Sequence, residues 1–144
     1  MVEKTKRWTI EDVPEGLREY IQRVPWQNPL VRVERKEDEG TVVLIYKKNF
    51  TRFERWLHKL IGGPEYIRRP LDRPGTTIWD LCDGEHTILD IVNEVEELYR
   101  EDVAPALPRV AKFVQMLRER NLVLLLKEGE RPPWAPPDRE SEVS

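Results

Sequence analysis

The chain has 144 residues, a formal net charge of −3 at pH 7, and 39% hydrophobic and 35% charged residues. This length favours one compact domain with extensions. No apolar run reaches the roughly 20 residues that span a bilayer, and no apolar segment follows the charged N-terminus as a signal peptide would require. A single cysteine excludes an intramolecular disulfide. We therefore expect a cytoplasmic protein, and its many Glu, Arg and Lys residues are typical of thermophile proteins.

The first predicted element is a short helix in an N-terminal extension that covers residues 1–29. Four apolar residues recur there at helical spacing: Leu17, Tyr20, Ile21 and Val24. Pro25 ends the helix, and residues 26–29 are predicted to form an extended linker. This extension either docks on the main body or stays a mobile arm.

Strand patterns follow. Residues 30–35 alternate apolar and charged side chains, and residues 41–46 are rich in β-branched and aromatic side chains, so the two predict a β-hairpin. Residues 66–71 predict a third strand. Because Pro70 has no N–H to donate, it indicates either an edge strand or the end of a strand.

An amphipathic helix is predicted at residues 50–61, between the second and third strands. Its apolar residues recur at helical spacing, with basic residues between them: Phe50, Phe53, Trp56, Leu57, Leu60 and Ile61. The favoured interpretation is that this face packs on the sheet. The alternatives are docking on a partner protein, on a second copy of the chain as a homodimer, or on an anionic membrane surface.

Residues 73–127 predict three helices and a closing strand. The first helix starts at Pro74 and ends at the Asp83-Gly84 turn, and the second starts at a capping box formed by Thr87 and Asp90. The third starts near residues 105–107, and a buried strand follows at 122–126. The predicted core residues are Ile78, Leu81, Ile88, Ile91, Val95, Val114 and Leu117. Residues 129–144 are proline-rich and predicted to be disordered.

The residue inventory offers little for catalysis. His58, Cys82 and His86 are the only imidazole and thiol side chains, whereas a structural zinc site needs four nitrogen or sulfur ligands. The sequence contains no phosphate-binding glycine loop and no nucleophile elbow. Cys82 has apolar neighbours and is interpreted as a core residue. We therefore predict that the chain is not an enzyme and that it uses no metal or cofactor.

Three helices followed by a strand also suggest a winged-helix DNA-binding regulator. The last helix would read DNA with Arg109, Lys112, Gln115, Arg118 and Arg120. However, residues 74–128 contain 6 basic and 11 acidic side chains, a sum of −5. Because a net negative surface repels phosphate, this function remains the alternative.

Residues 75–92 resemble the helix, Asp-Gly turn and T-[IV]-x-x-I helix of the PqqD family, and residues 110–123 are similar to its closing helix. The resemblance implies an α+β, winged-helix-like domain over residues 30–128, with a three-stranded N-terminal antiparallel sheet packed on a three-helix bundle. The helix near 50–61 would be an insertion. Family members are peptide chaperones for ribosomally made, post-translationally modified peptides. They bind the leader of a precursor peptide and present it to a modifying enzyme, often a radical SAM protein.

The resemblance also implies where the peptide binds. In the family an extended peptide adds as a strand in the groove between the third strand and the third helix. Transferred to this chain, that groove is formed by Tyr66, Ile67, Arg68, Arg69, Leu71, Arg109, Lys112, Phe113 and Met116. The apolar members would receive leader side chains, and the basic ones would pair with leader carboxylates.

Overall fold

The computed structural model describes residues 7–47, 52–63 and 65–135. Its α+β class confirms the sequence prediction. The strands are β1 (Val24–Gln27), β2 (Arg32–Lys36), β3 (Thr41–Lys47), β4 (Tyr66–Pro70) and β5 (Val123–Leu126). The α-helices are α1 (Arg18–Ile21), α2 (Arg52–Ile61), α3 (Arg73–Leu81), α4 (Ile88–Tyr99) and α5 (Ala106–Glu119). Among these described residues, every helix is too short or too polar to cross a membrane.

Strands β2, β3 and β4 form an antiparallel sheet in that order, which confirms the predicted hairpin and third strand. The central strand β3 is buried on both faces from Val42 to Tyr46. Alternate residues of β3 belong to the main core, namely Val42, Leu44 and Tyr46. By contrast, every residue of β2 is exposed. The sheet therefore contributes to the core mainly through β3.

Helices α3, α4 and α5 pack against one another and complete the core. Helix α3 begins one residue before Pro74, because the Asp72 carboxylate accepts a hydrogen bond from Gly75 N at 2.8 Å and caps the helix. The predicted capping box of α4 is confirmed, with Asp90 N donating to Thr87 Oγ1 at 3.1 Å. All the predicted core residues are buried except Leu81, which is half-buried against the same core.

The N-terminal prediction is wrong beyond residue 21. Val24 lies in β1 instead of a helix, and the predicted linker at 26–29 begins with the second half of the same strand. Strand β1 pairs antiparallel with β5. Its other side also bonds to the chain, because Gly84 N donates to Pro25 O and Ile88 N donates to Arg23 O. These distant backbone partners stabilise an extended conformation that local spacing does not indicate.

The N-terminal extension docks on the main body. Val13 and Ile21 are buried in the main core cluster. Farther from the core, Asn93 of α4 accepts a hydrogen bond from Trp8 N at 2.6 Å and donates one to Trp8 O at 3.0 Å. Of the two positions left open by the sequence, the docked one is therefore present.

Three apolar residues of helix α2 do not show the predicted packing on the sheet. Trp56 is 57% exposed, and Leu60 and Ile61 are exposed as well. The expectation of packing on the sheet is therefore wrong for these three residues. Phe50 and the side chains of Phe53 and Leu57 lie outside the described residues. Residues 136–144 also lie outside them, so disorder of the tail stays a prediction, as do the domain boundaries.

We predict that Gly84→Ala destabilises the fold much more than Gly129→Ala. Both glycines have left-handed backbones, at φ +82° and +87°, where alanine costs about 1–2 kcal/mol. A Cβ at Gly84 would lie 2.6 Å from the Trp26 ring, whereas a Cβ at Gly129 would meet open space. Overpacking should add about 1–3 kcal/mol at Gly84 alone. Equal losses in urea unfolding would show that Trp26 does not pack on this turn.

We also predict that Trp56→Ala changes the free energy of unfolding by about 0.5 kcal/mol or less, because Trp56 is 57% exposed. Trp79→Ala is the matched control. Trp79 is 1% exposed, and its loss should cost about 3–5 kcal/mol. Denaturant unfolding followed by circular dichroism measures both. Global unfolding of the Trp56 variant would mean that α2 contributes to the core.

Candidate functional site

Strand β4 has an open outer edge in the described part of the chain, because it is the last strand of its sheet. Leu71 N donates to Val42 O at 2.9 Å, which shows where the hydrogen-bonded pairs of this ladder fall. The antiparallel alternation then directs the backbone N–H and C=O groups of Tyr66 and Arg68 away from β3. The backbone of Pro70 faces the same way, but because proline has no N–H it offers only its carbonyl group. The edge can therefore both donate to and accept from an added strand.

The edges of β2 and β1 are less suited to such pairing. Four of the five residues of β2 are charged, which is a common protection of an open edge. The side of β1 opposite β5 is already bonded: Gln27 N donates to Cys82 O at 3.0 Å, and Pro25 O accepts from Gly84 N. Strand β4 instead combines an open edge with a cleft at its start, which Tyr66 and Arg120 both line.

Contacts at both ends of β4 relate the strand to α5. Just after β4, a Cβ on Gly75 would lie 3.1 Å from the Phe113 ring of α5. At the start of β4, Tyr66 lines the same cleft as Arg120, which follows the last residue of α5. Three apolar side chains from the two elements are half-buried against the core: Ile67, Phe113 and Met116. These observations relate α5 to the two ends of β4, through the first turn of α3 at one end and through the cleft at the other.

Three of the predicted site residues differ in whether their side chains are accessible to a bound peptide. Leu71 is only 7% exposed and belongs to the core, so its side chain is not available at the surface. Arg109 uses Nη1 to donate to Asp102 O at 3.2 Å, at the start of α5. Lys112 is exposed on the same helix.

The two arginines of β4 already have partners within the sheet. Arg68 Nη2 donates to Glu34 Oε2 at 2.6 Å, and this hydrogen bond lowers the pKa of Glu34. Arg69 Nε donates to Tyr46 Oη at 3.1 Å. The charge of Arg68 is therefore balanced by a carboxylate of β2, which makes this side chain a weaker candidate for binding an acidic peptide than the sequence indicated.

A cleft of about 380 Å³ opens where β4 begins, and we call it the β4 cleft. Its described lining residues are Asn28, Leu30, Val31, Tyr46, Lys47, Tyr66, Arg120, Asn121 and Leu122. The loop between β1 and β2 is held there because Asn28 N donates to Leu122 O and Asn28 Nδ2 donates to Asn121 O, at 2.9 and 2.7 Å. Of these residues, only Tyr66 was predicted from the sequence to bind the peptide. The others come from three separate segments that no local pattern connects.

The surroundings of Cys82 and His86 indicate that both residues have structural roles. The Cys82 thiol is fully buried and donates to Ile78 O at 3.2 Å, and burial raises its pKa strongly. His86 Nδ1 lies 2.9 Å from the Asp83 carboxylate, and this hydrogen bond raises the pKa of His86. Within residues 7–47, 52–63 and 65–135, no group of three or more His, Cys, Asp or Glu side chains could hold a metal ion. These two residues thus support the α3–α4 turn.

The comparison with known proteins identifies the segment that contains β4 and the three packed helices. Residues 65–123 match the family model described as coenzyme PQQ synthesis protein D (PqqD). No curated protein and no solved structure gives a significant match to the chain. The match leaves out β1, β2, β3 and α2, which precede it. Residues 65–123, which make up less than half of the chain, are therefore similar to the PqqD family, in agreement with the resemblance seen in the sequence.

Proposed function

We propose that this chain is a noncatalytic accessory protein that binds the leader of a precursor peptide and presents the peptide to a modifying enzyme, such as a radical SAM protein. The peptide adds as an extended strand beside β4. One observation carries the proposal: the outward N–H and C=O groups of Tyr66 and Arg68 lie on an edge that no described strand covers. The match of residues 65–123 to the PqqD family model supports the same role.

When a peptide adds as a strand, its affinity and its specificity come from different groups of the protein. Main-chain hydrogen bonds at Tyr66, Arg68 and Pro70 bind any extended peptide, each contributing about 0.5–1.5 kcal/mol net. Selection among peptides then depends on side chains next to the edge. The half-buried Ile67, Phe113 and Met116 are suited to receive apolar leader side chains.

Presentation to an enzyme needs a second surface, and α2 is suited to that role. Its exposed Trp56, Leu60 and Ile61 are typical of a protein-docking face. We propose that the modifying enzyme docks there, while a homodimer through the same face is the second assembly to be tested. Light scattering of the purified chain and of its Trp56→Ala variant distinguishes a dimer from a monomer.

We predict that Arg68→Pro weakens peptide binding about tenfold or more relative to Arg68→Ala. Both variants lose the bond to Glu34, and they differ in the outward N–H of residue 68. Proline removes that donor, and its ring obstructs the added strand. Because this N–H faces away from β3, both variants should have similar free energies of unfolding. Calorimetry at moderate salt, with the leader of a precursor peptide encoded beside this gene, provides the measurement.

Equal peptide affinity of the two variants would contradict strand addition at β4. Nanomolar, sequence-selective binding of duplex DNA without peptide binding would instead favour the winged-helix regulator.

A further inference from the structure

We propose that the β4 cleft binds a side-chain carboxylate of the added peptide and so makes the chain selective for acidic peptides. This inference rests on the proposed function, because it assumes that a peptide pairs with β4. It moves the acid-binding role from Arg68 and Arg69, whose side chains bond to Glu34 and Tyr46, to two other cations.

The charges that line the cleft favour an anion. Lys47 and Arg120 both line it, and its described lining includes no Asp or Glu. Neither cation forms an ion pair within the described residues. Lys47 is also directly opposite Tyr66 in the β3–β4 ladder. Positive charge is therefore concentrated at the start of the open edge, where one end of an added peptide would lie.

The C-terminal end of α5 does not cancel this preference. Free carbonyl groups at a helix end repel carboxylates. Here three of them accept hydrogen bonds: Met116 O from Arg120 N, Leu117 O from Leu122 N, and Arg118 O from Asn121 N. Asn121 O, beyond the helix, accepts a hydrogen bond from Asn28 Nδ2. The charge of Arg120 thus acts beside four carbonyls that already have donors.

The cleft also has an apolar wall. Leu30 is 84% exposed and Tyr66 is 53% exposed, and Val31 lines the cleft beside them. The volume of about 380 Å³ lies near the lower end of ordinary small-ligand pockets and suits one or two side chains. We therefore expect an acidic residue next to an apolar residue in the bound peptide. The cations bind the carboxylate, and Leu30 and Tyr66 cover the neighbour.

The probe is a phage-displayed library of random twelve-residue peptides, flanked on both sides so that its carboxylates come only from side chains. We expect the full chain to select peptides enriched in Asp or Glu beside an apolar residue. The Lys47→Glu/Arg120→Glu variant should lose this enrichment and favour Lys or Arg instead. Lys36→Glu/Lys127→Glu is the matched control, since it makes the same charge change at exposed positions outside the cleft lining and should select as the unmodified chain does.

Calorimetry with a selected acidic peptide gives the size of the effect. The cleft variant should bind it at least tenfold more weakly at 0.1 M salt, whereas the control variant should stay within about threefold. Versions of the peptide with free and amidated C-termini should bind alike. Tighter binding of the free C-terminus alone would overturn the side-chain assignment.

The failures of the two proposals are distinguishable. Selected peptides without an acidic preference, or an unchanged preference in the cleft variant, overturn the inference and leave strand addition at β4 intact. If the unmodified chain enriches no peptide, both the inference and peptide binding fall. Both proposals would be supported if Arg68→Pro abolished peptide selection while Lys47→Glu/Arg120→Glu only changed which peptides are selected.

Discussion

Two hydrogen bonds to Val42 hold the sheet and the helices together. Val42 O accepts from Leu71 N at 2.9 Å, and Val42 N donates to the buried Thr76 hydroxyl at 3.1 Å. Between these contacts the chain leaves β4, buries Leu71 in the core and starts α3 on the Asp72 cap. Phe113 of α5 lies against the first turn of the same helix. On one side, all of these contacts are made by residues 71–76. This short segment therefore sets the direction of the β4 edge relative to α5.

The N-terminal extension belongs to this architecture through both its backbone and its side chains. Strand β1 is bonded to β5 on one side and to the α3–α4 turn on the other. At Gly84 the left-handed backbone and the contact with Trp26 both exclude a larger residue. The loop that follows β1 then brings Asn28 and Leu30 to the β4 cleft. The extension thus contributes to the candidate site although it lies outside the family match.

Positive and negative charges are unevenly distributed along the chain. The acidic C-terminal half carries most of the negative charge of the chain, whereas residues 49–73 contain 6 basic and 3 acidic side chains, a sum of +3. In the structure part of that positive charge is used inside the sheet, since Arg68 pairs with Glu34. Lys47 and Arg120, which come from outside that segment, line the β4 cleft. Charge counts along the chain therefore located a basic segment, but not the cations that line the β4 cleft.

The sequence by itself determined the α+β class, the β2–β3 hairpin, β4, the α4 cap and most of the core, because periodicity and capping depend on residues a few positions apart. Tertiary structure alone decided the rest. Val24 is extended because β5, about a hundred residues later, supplies its backbone partners. Trp56 is exposed although its spacing resembles that of a core helix. The β4 cleft joins Asn28, Lys47, Tyr66 and Arg120, and only packing brings residues so far apart in the chain together.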